Sequence, residues 1–345
     1  MNVVFTLCSA NYLAHAKTLG DSLKEQHPDF HFVIGLVDRL PAGLAPSFWQ
    51  PHELIPAEDI GIAAFADMVQ RYDVVEMNTA VKPFYIEFLY RRDPGVNVVI
   101  YLDPDILVCS SLAALVEKLE TFNLIVTPHS CTYDDSPLNF YYEQGMLTTG
   151  VYNLGFLATA RSETTIAFLK WWQKRLQDHC YYDPGSGLFV DQLWVTLAPL
   201  YFDGVFVEKD PGYNMCYWNH FERRLSRSNG RYVVNGSHAL VFYHFSSYSP
   251  DRPELVTKRE KSKPLSFADR PELRPIYDDY RARLIAAGYA QVSPLRYSLR
   301  LNPPKAKLTR KQALKRSVRK VICALPSALQ NPLQRLAQFI VNTLK

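Results

Sequence analysis

Two carboxylates two residues apart, Asp103 and Asp105, bracket a proline directly after the apolar run Val98–Leu102. Such a pair suits a hard divalent cation. Mg²⁺ and Mn²⁺ take oxygen ligands and leave positions open, so two carboxylates can tether the ion while a diphosphate fills the rest of its octahedron. The apolar run reads as a buried central strand, and Ile106–Val108 as a second short one. The acids therefore fall at a strand's carboxyl end, where open α/β sheets gather ligands because loops and helix N-termini converge there. A solvated turn after a strand is the competing reading of so short a motif.

The elements that would carry this turn follow βαβ grammar. Val3–Leu7 reads as a strand, the stretch through Leu19 and Leu23 as a helix, and 31–37 as the next strand. Asn78 is expected to cap a helix through Val81, Tyr85, Phe88 and Leu89. Beyond the acids, 112–119 reads as a helix, 124–126 as a strand, 132–144 as a polar aromatic loop and 151–158 as a strand. Ser162 caps a helix burying Ile166, Leu169 and Trp172, a short helix covers 189–197, and strands follow through Val205 and Val207 and over 239–243. The expected class is α/β: a mixed, mostly parallel, Rossmann-like sheet flanked by helices, with a basic helical C-terminal tail. The expected division is a catalytic domain over 1–250, a helical extension over 251–300 and the tail over 301–345.

Composition narrows the function. Of 345 residues 48% are hydrophobic and 21% charged, which is globular, and no apolar run approaches the roughly 20 residues of a membrane span. Six cysteines without a CxxC pair read as thiols in a reducing compartment. The first residues lack a basic n-region and read as a strand rather than a signal peptide, so the expected location is cytoplasmic. The net charge of +4 hides an asymmetry: no acid follows Asp279, fourteen bases occur from Arg281 onward, and 24 bases face all 34 acids before it. An acidic body argues against nucleic acid as a partner. In the tail, Leu314, Val318, Val321, Ile322 and Leu325 share a helical face opposite Lys311, Lys315, Arg316, Arg319 and Lys320. After Pro326 a second helix aligns Leu329, Leu333, Leu336, Ile340 and Leu344. Such a tail suits an anionic membrane surface, giving a peripheral protein on the inner face of the cytoplasmic membrane; packing onto the body or a partner is the alternative.

The pattern of strand, Asp-x-Asp and strand resembles the metal motif of GT-A glycosyltransferases. Further pieces occur in the order seen in glycosyltransferase family 8 and its retaining bacterial relatives: Asn11-Tyr12 after the first strand, Lys82 on the helix before the metal strand, Val151-Tyr-Asn153-Leu-Gly155-Phe, Asp191-Gln192, and His244 after the last strand. The resemblance covers residues 1–250. It implies a nucleotide diphosphate sugar, UDP-linked, as donor, with Asn11 and Tyr12 on the nucleotide and the Tyr12 ring stacked on the base. Lys82 would reach the donor's phosphates or sugar, Asp103 and Asp105 would hold Mn²⁺ or Mg²⁺, and His244 would complete the metal site. Asn153 and Gly155 would lie beneath the donor sugar, Gly155 because a side chain would strike the ring. Asp191 and Gln192 would lie near the anomeric carbon, and transfer would proceed with retention.

Family 8 members commonly follow the histidine with Gly and a Lys-Pro-Trp. This chain has Phe245-Ser246-Ser247-Tyr248-Ser249-Pro250, and Ser246 with Ser247 is expected to supply the missing phosphate contacts. The segment Tyr213–His220, dense in Tyr, Trp, Asn and His, is a candidate acceptor lining or ordinary core, and 132–148 a candidate lid. The acceptor expected is a glycan or lipid-linked glycan, as in surface polysaccharide or lipopolysaccharide synthesis. Two other classes stay open: a metal-dependent nucleotidyltransferase, which would want a Gly-rich phosphate loop that Cys8-Ser-Ala-Asn-Tyr12 does not supply, and a non-catalytic nucleotide-sugar-binding protein at the membrane.

Overall fold

The apolar runs assemble into a central sheet, seen in a computed structural model that describes residues 1–133, 135, 137–258 and 266–299. The expectations for the tail over 301–345, its two amphipathic helices and Cys323, lie outside the described residues. In chain order the strands that build the site are β1 (Asn2–Cys8), β2 (His31–Leu36), β3 (Glu53–Pro56), β4 (Val98–Leu102), β5 (Ile106–Val108), β6 (Leu124–Pro128) and β7 (Tyr152–Ala160). The main sheet runs from strand Val205–Val207 through β6, β7, β4, β1 and β2 to β3. All neighbours in it are parallel except β7, which lies antiparallel to β4 and β6. The mixed, mostly parallel α/β sheet expected from the sequence is thus present.

Alternation along the strands divides the core in two. Val3, Phe5, Leu7, Val99 and Tyr101 face one apolar cluster and Val4, Cys8, Ile100 and Leu102 the other. A strand covered on both faces has no polar side to show, which is why β4 reads as an unbroken apolar run. The first face is covered by α2 (Phe65–Arg71), α3 (Val74–Ala80), α4 (Lys82–Arg92) and α7 (Glu163–His179); the second by α1 (Leu13–Gln26) and α5 (Ala113–Lys118).

Ser162 caps α7 as expected, its Oγ accepting from the Thr165 amide at 3.0 Å, and Phe168, Leu169, Trp172 and Leu176 are buried along one stripe. Ser162→Ala is expected to cost about 1 kcal/mol, read as a lower denaturant midpoint with unchanged slope. Asn78 is not a cap. Asp73 and Glu76 form a capping box that starts α3 earlier, and α4 follows at Lys82 with Pro83 in its first turn. Asn78 lies within α3, its amide donating to Ser9 Oγ and to the Val74 carbonyl.

The stretch expected as a polar loop over 132–144 is largely helical: α6 spans Pro137–Thr149 and starts on a proline, which a first turn tolerates. The expected helix over 189–197 is shorter, α8 (Gln192–Val195), and the last strand is split into His238–Ala239 and Phe242–His244. The chain after residue 250 returns to the body. Helix Arg274–Ala286 buries Ile276, Tyr277, Tyr280 and Leu284, and Tyr280 stacks on Phe245 at 3.8 Å between ring centroids. Met1–Leu301 form one compact unit.

Candidate active site

β4 stops at Leu102 because two other elements take over its backbone. The Asp103 amide donates to the Gly155 carbonyl of β7 at 2.8 Å, the Ile106 amide closes the turn on the Asp103 carbonyl, and the Phe245 amide donates to the Asp105 carbonyl at 2.8 Å. β5 then pairs antiparallel with Phe242–His244, with His244 opposite Ile106. The acids are therefore clamped between β7 and the last strand, and His244 is delivered beside them across that pairing.

Asp103, Asp105 and His244 each offer one ligand atom within 4.8 Å of the others. His244 Nε2 lies 3.1 Å from Asp105 Oδ1 and 3.7 Å from Asp103 Oδ2. The Tyr101 hydroxyl donates to the other Asp103 oxygen, Oδ1, at 2.6 Å, so Oδ2 is the oxygen turned to His244. Burial pushes the Asp105 carboxyl up, but the facing His244 ring outweighs it and holds the group below its usual range. Two carboxylates and an imidazole around one point suit a divalent ion, the nitrogen favouring Mn²⁺ over Mg²⁺.

Gly155 makes room for this triad. A Cβ built there would meet His244 Cε1 at 2.6 Å, Asn153 Oδ1 at 2.8 Å and Asp103 Oδ2 at 2.9 Å. The triad and Asn153 leave no room for a side chain at this position.

Lys82 is 1% exposed, and its Nζ donates to Asp191 Oδ2 at 2.5 Å and to the Leu154 carbonyl of β7 at 2.7 Å, over the Tyr101 ring at 4.1 Å. Burial raises the Asp191 carboxyl against the pull of Lys82. The ammonium thus joins β7 to the start of α8 and reaches the metal strand through Tyr101.

Asn153 and Gln192 are brought together. Gln192 Oε1 receives the Leu154 amide at 3.3 Å and Asn153 Nδ2 at 3.4 Å, while its Nε2 donates to the Thr149 carbonyl at 2.9 Å. Asn11 and Tyr12 follow β1, which is parallel to β4, so they lie at the same end of the sheet as the acids. Tyr12 is 38% exposed and stacks on His15 at 4.4 Å. Ser246 follows His244 by two residues, and its carbonyl accepts from Thr257 Oγ1.

The segment 213–220 is mostly core: Tyr213, Asn214, Met215 and Cys216 are buried. Trp218 borders the site, its ring edge-on to His244 at 5.2 Å. Tyr101 and His129 lie beside the site and were not singled out from the sequence, whereas Asn214 fell within the candidate acceptor segment 213–220. Tyr101 carried a signal, since a side chain two residues before Asp103 along a strand shares its face. His129 carried none.

No protein-family model matches the chain. It is similar to the uncharacterized protein YfnF of Bacillus subtilis (strain 168), 26% identical over 235 residues, covering 67% of this chain and 75% of that one. Among solved structures it is similar to the galactosyltransferase LgtC in complex with donor and acceptor sugar analogs, at 16% identity and TM-score 0.46 over 82% of this chain and 95% of that one. It is also similar to the glycosyltransferase GlyE of Streptococcus pneumoniae TIGR4, at 15% identity and TM-score 0.46 over 84% and 64%.

Proposed function

We propose that the chain is a metal-dependent glycosyltransferase that moves a sugar from a nucleotide diphosphate sugar, UDP-linked, onto a glycan or lipid-linked glycan, with retention. The observation that carries the reading is the convergence of Asp103, Asp105 and His244 at the carboxyl end of β4, with Gly155 cleared for them. Breaking a glycosyl–phosphate bond leaves negative charge on the departing diphosphate, and a bound Mn²⁺ or Mg²⁺ would act as the Lewis acid that stabilises it. Asp103, Asp105 and His244 would hold that ion, with the Tyr101 hydroxyl fixing the Asp103 carboxylate and Gly155 leaving room for the triad. Asn11, Tyr12 and Ser246 hold the nucleotide and phosphates. Asn153, Gln192 and Asp191 orient the sugar from one side, with Lys82 holding Asp191 in place. The helix α6 over part of 132–148 is the candidate cover that keeps water from the donor. The basic tail places the enzyme on the inner face of the cytoplasmic membrane.

Donor binding to the folded state raises the melting point by mass action. At a donor concentration of about 100 times Kd the gain is about 2.7 kcal/mol, which is roughly 5–10 °C for a protein of this size. UDP-sugars are expected to give that shift only with Mn²⁺ present, and Asp105→Ala to abolish it together with slow metal-dependent release of UDP from the donor. A melting point that ignores every nucleotide sugar, or an Asp105→Ala variant that responds like the parent, would end the proposal. Transfer of a nucleotidyl group instead would support the nucleotidyltransferase reading.

A further inference from the structure

Asn214 is fully buried and held at φ +55°, a left-handed conformation that asparagine tolerates better than most residues. Both ends of its amide are in use. Oδ1 faces His244 Nδ1 at 3.2 Å, and Nδ2 faces Asn153 Oδ1 at 3.0 Å and Thr127 Oγ1 at 2.9 Å.

Backbone groups, whose polarity is unambiguous, decide which end is which. The Gly155 amide donates to Asn153 Oδ1 at 3.2 Å, so that atom is an oxygen. The Asn214 atom facing it must then be the NH₂, and the atom facing His244 must be the carbonyl oxygen. A carbonyl at that distance requires a proton on His244 Nδ1, which leaves Nε2, 3.1 Å from Asp105 Oδ1, as the nitrogen turned toward the acids.

The far end of the chain of bonds agrees. The Leu154 amide makes Gln192 Oε1 an acceptor, and the Thr149 carbonyl makes Gln192 Nε2 a donor. Asn153 Nδ2 lies 3.4 Å from both Gln192 Oε1 and His129 Nε2. His129 is able to accept there: burial pushes its imidazole down to about 4, and its Nδ1 faces the Val151 carbonyl at 3.3 Å.

We infer that Asn214 is a positioning residue that locks His244 in its Nδ1–H tautomer, so that Nε2 is presented as a ligand, and joins that ligand through Asn153 to Gln192. The inference rests on the metal-site reading of the triad. Partners that fix the tautomer of a metal-binding histidine typically change metal affinity by about 10–100-fold when removed.

The test has two independent readouts. In the metal-free protein, long-range ¹H–¹⁵N spectra, with His244 assigned by loss of its signals in His244→Gln, are expected to show a proton on Nδ1; a ring protonated at Nε2 and not at Nδ1 overturns the inference whether or not metal binds. Mn²⁺ titration followed by electron paramagnetic resonance is expected to show affinity about 10–100-fold weaker in Asn214→Gly, a change that keeps the left-handed backbone available while deleting the carbonyl. Asn214→Asp retains an acceptor for the Nδ1 proton but loses the donor to Asn153 and Thr127, and is expected to bind Mn²⁺ more tightly than Asn214→Gly though more weakly than the parent.

Equal affinity in Asn214→Gly and the parent overturns the inference, and so does a folded Asn214→Asp variant that binds no more tightly than Asn214→Gly. Should Asn214→Gly fail to fold, the parent spectrum decides it. A parent protein that binds no Mn²⁺ at all removes the metal-site reading and leaves the tautomer to be judged by the spectrum alone.

Discussion

Lys82→Met is expected to destabilise the protein by about 3–5 kcal/mol, the usual cost of stranding one partner of a buried ion pair. Lys82 and Asp191 are 1% and 2% exposed. Without the ammonium, the Asp191 carboxylate and the Leu154 carbonyl lose their donor inside a site that water does not reach. The loss should appear as a melting point lower by roughly 10 °C. Lys82→Met combined with Asp191→Leu should recover much of it, because apolar replacement of both partners is often close to neutral. A single variant within 1 kcal/mol of the parent would mean that the pair does not hold β7 to α8. Both variants should also lose transfer, the double variant while remaining folded, which separates the pair's part in the reaction from its part in stability.

Gly155→Ala is the second large effect. The backbone there has an ordinary φ, so the demand is for space: the new methyl would meet His244, Asn153 and Asp103 at under 3 Å. Forcing a methyl into packed surroundings costs about 1–3 kcal/mol. Because two of the three neighbours are candidate ligands, the strain is expected to spread the triad and weaken Mn²⁺ binding by at least about 10-fold, the lower end of what displaced supporting groups cause. Calorimetric titration with Mn²⁺ checks it, and an alanine variant with parental affinity would show that the triad yields without losing its ion.

The strands were legible because a sheet covered on both faces leaves long apolar words in the text, Val98–Leu102 above all. The capping box at Asp73 and Glu76 was also written in the sequence but was passed over for Asn78, a residue type equally suited to capping. The burial of Lys82 against Asp191 was not legible for a physical reason. Lysine's ordinary place on a helix is outward, and only the fold brings Asp191, 109 residues away, within 2.5 Å of it. The dense aromatic stretch 132–144 carried no 3.6-residue apolar period, so α6 could not be heard in it. Asn214 lies in a segment without periodicity, and its importance comes from three partners at positions 127, 153 and 244, a relation no local spacing encodes.

The pairing of Ile106–Val108 with Phe242–His244 joins segments more than 130 residues apart. During synthesis the acids leave the ribosome long before the histidine does. The growing chain therefore carries the two acids without their histidine while residues 106–243 are made, and the three groups can meet only once His244 has been added. A product truncated anywhere before that strand lacks the histidine of the triad.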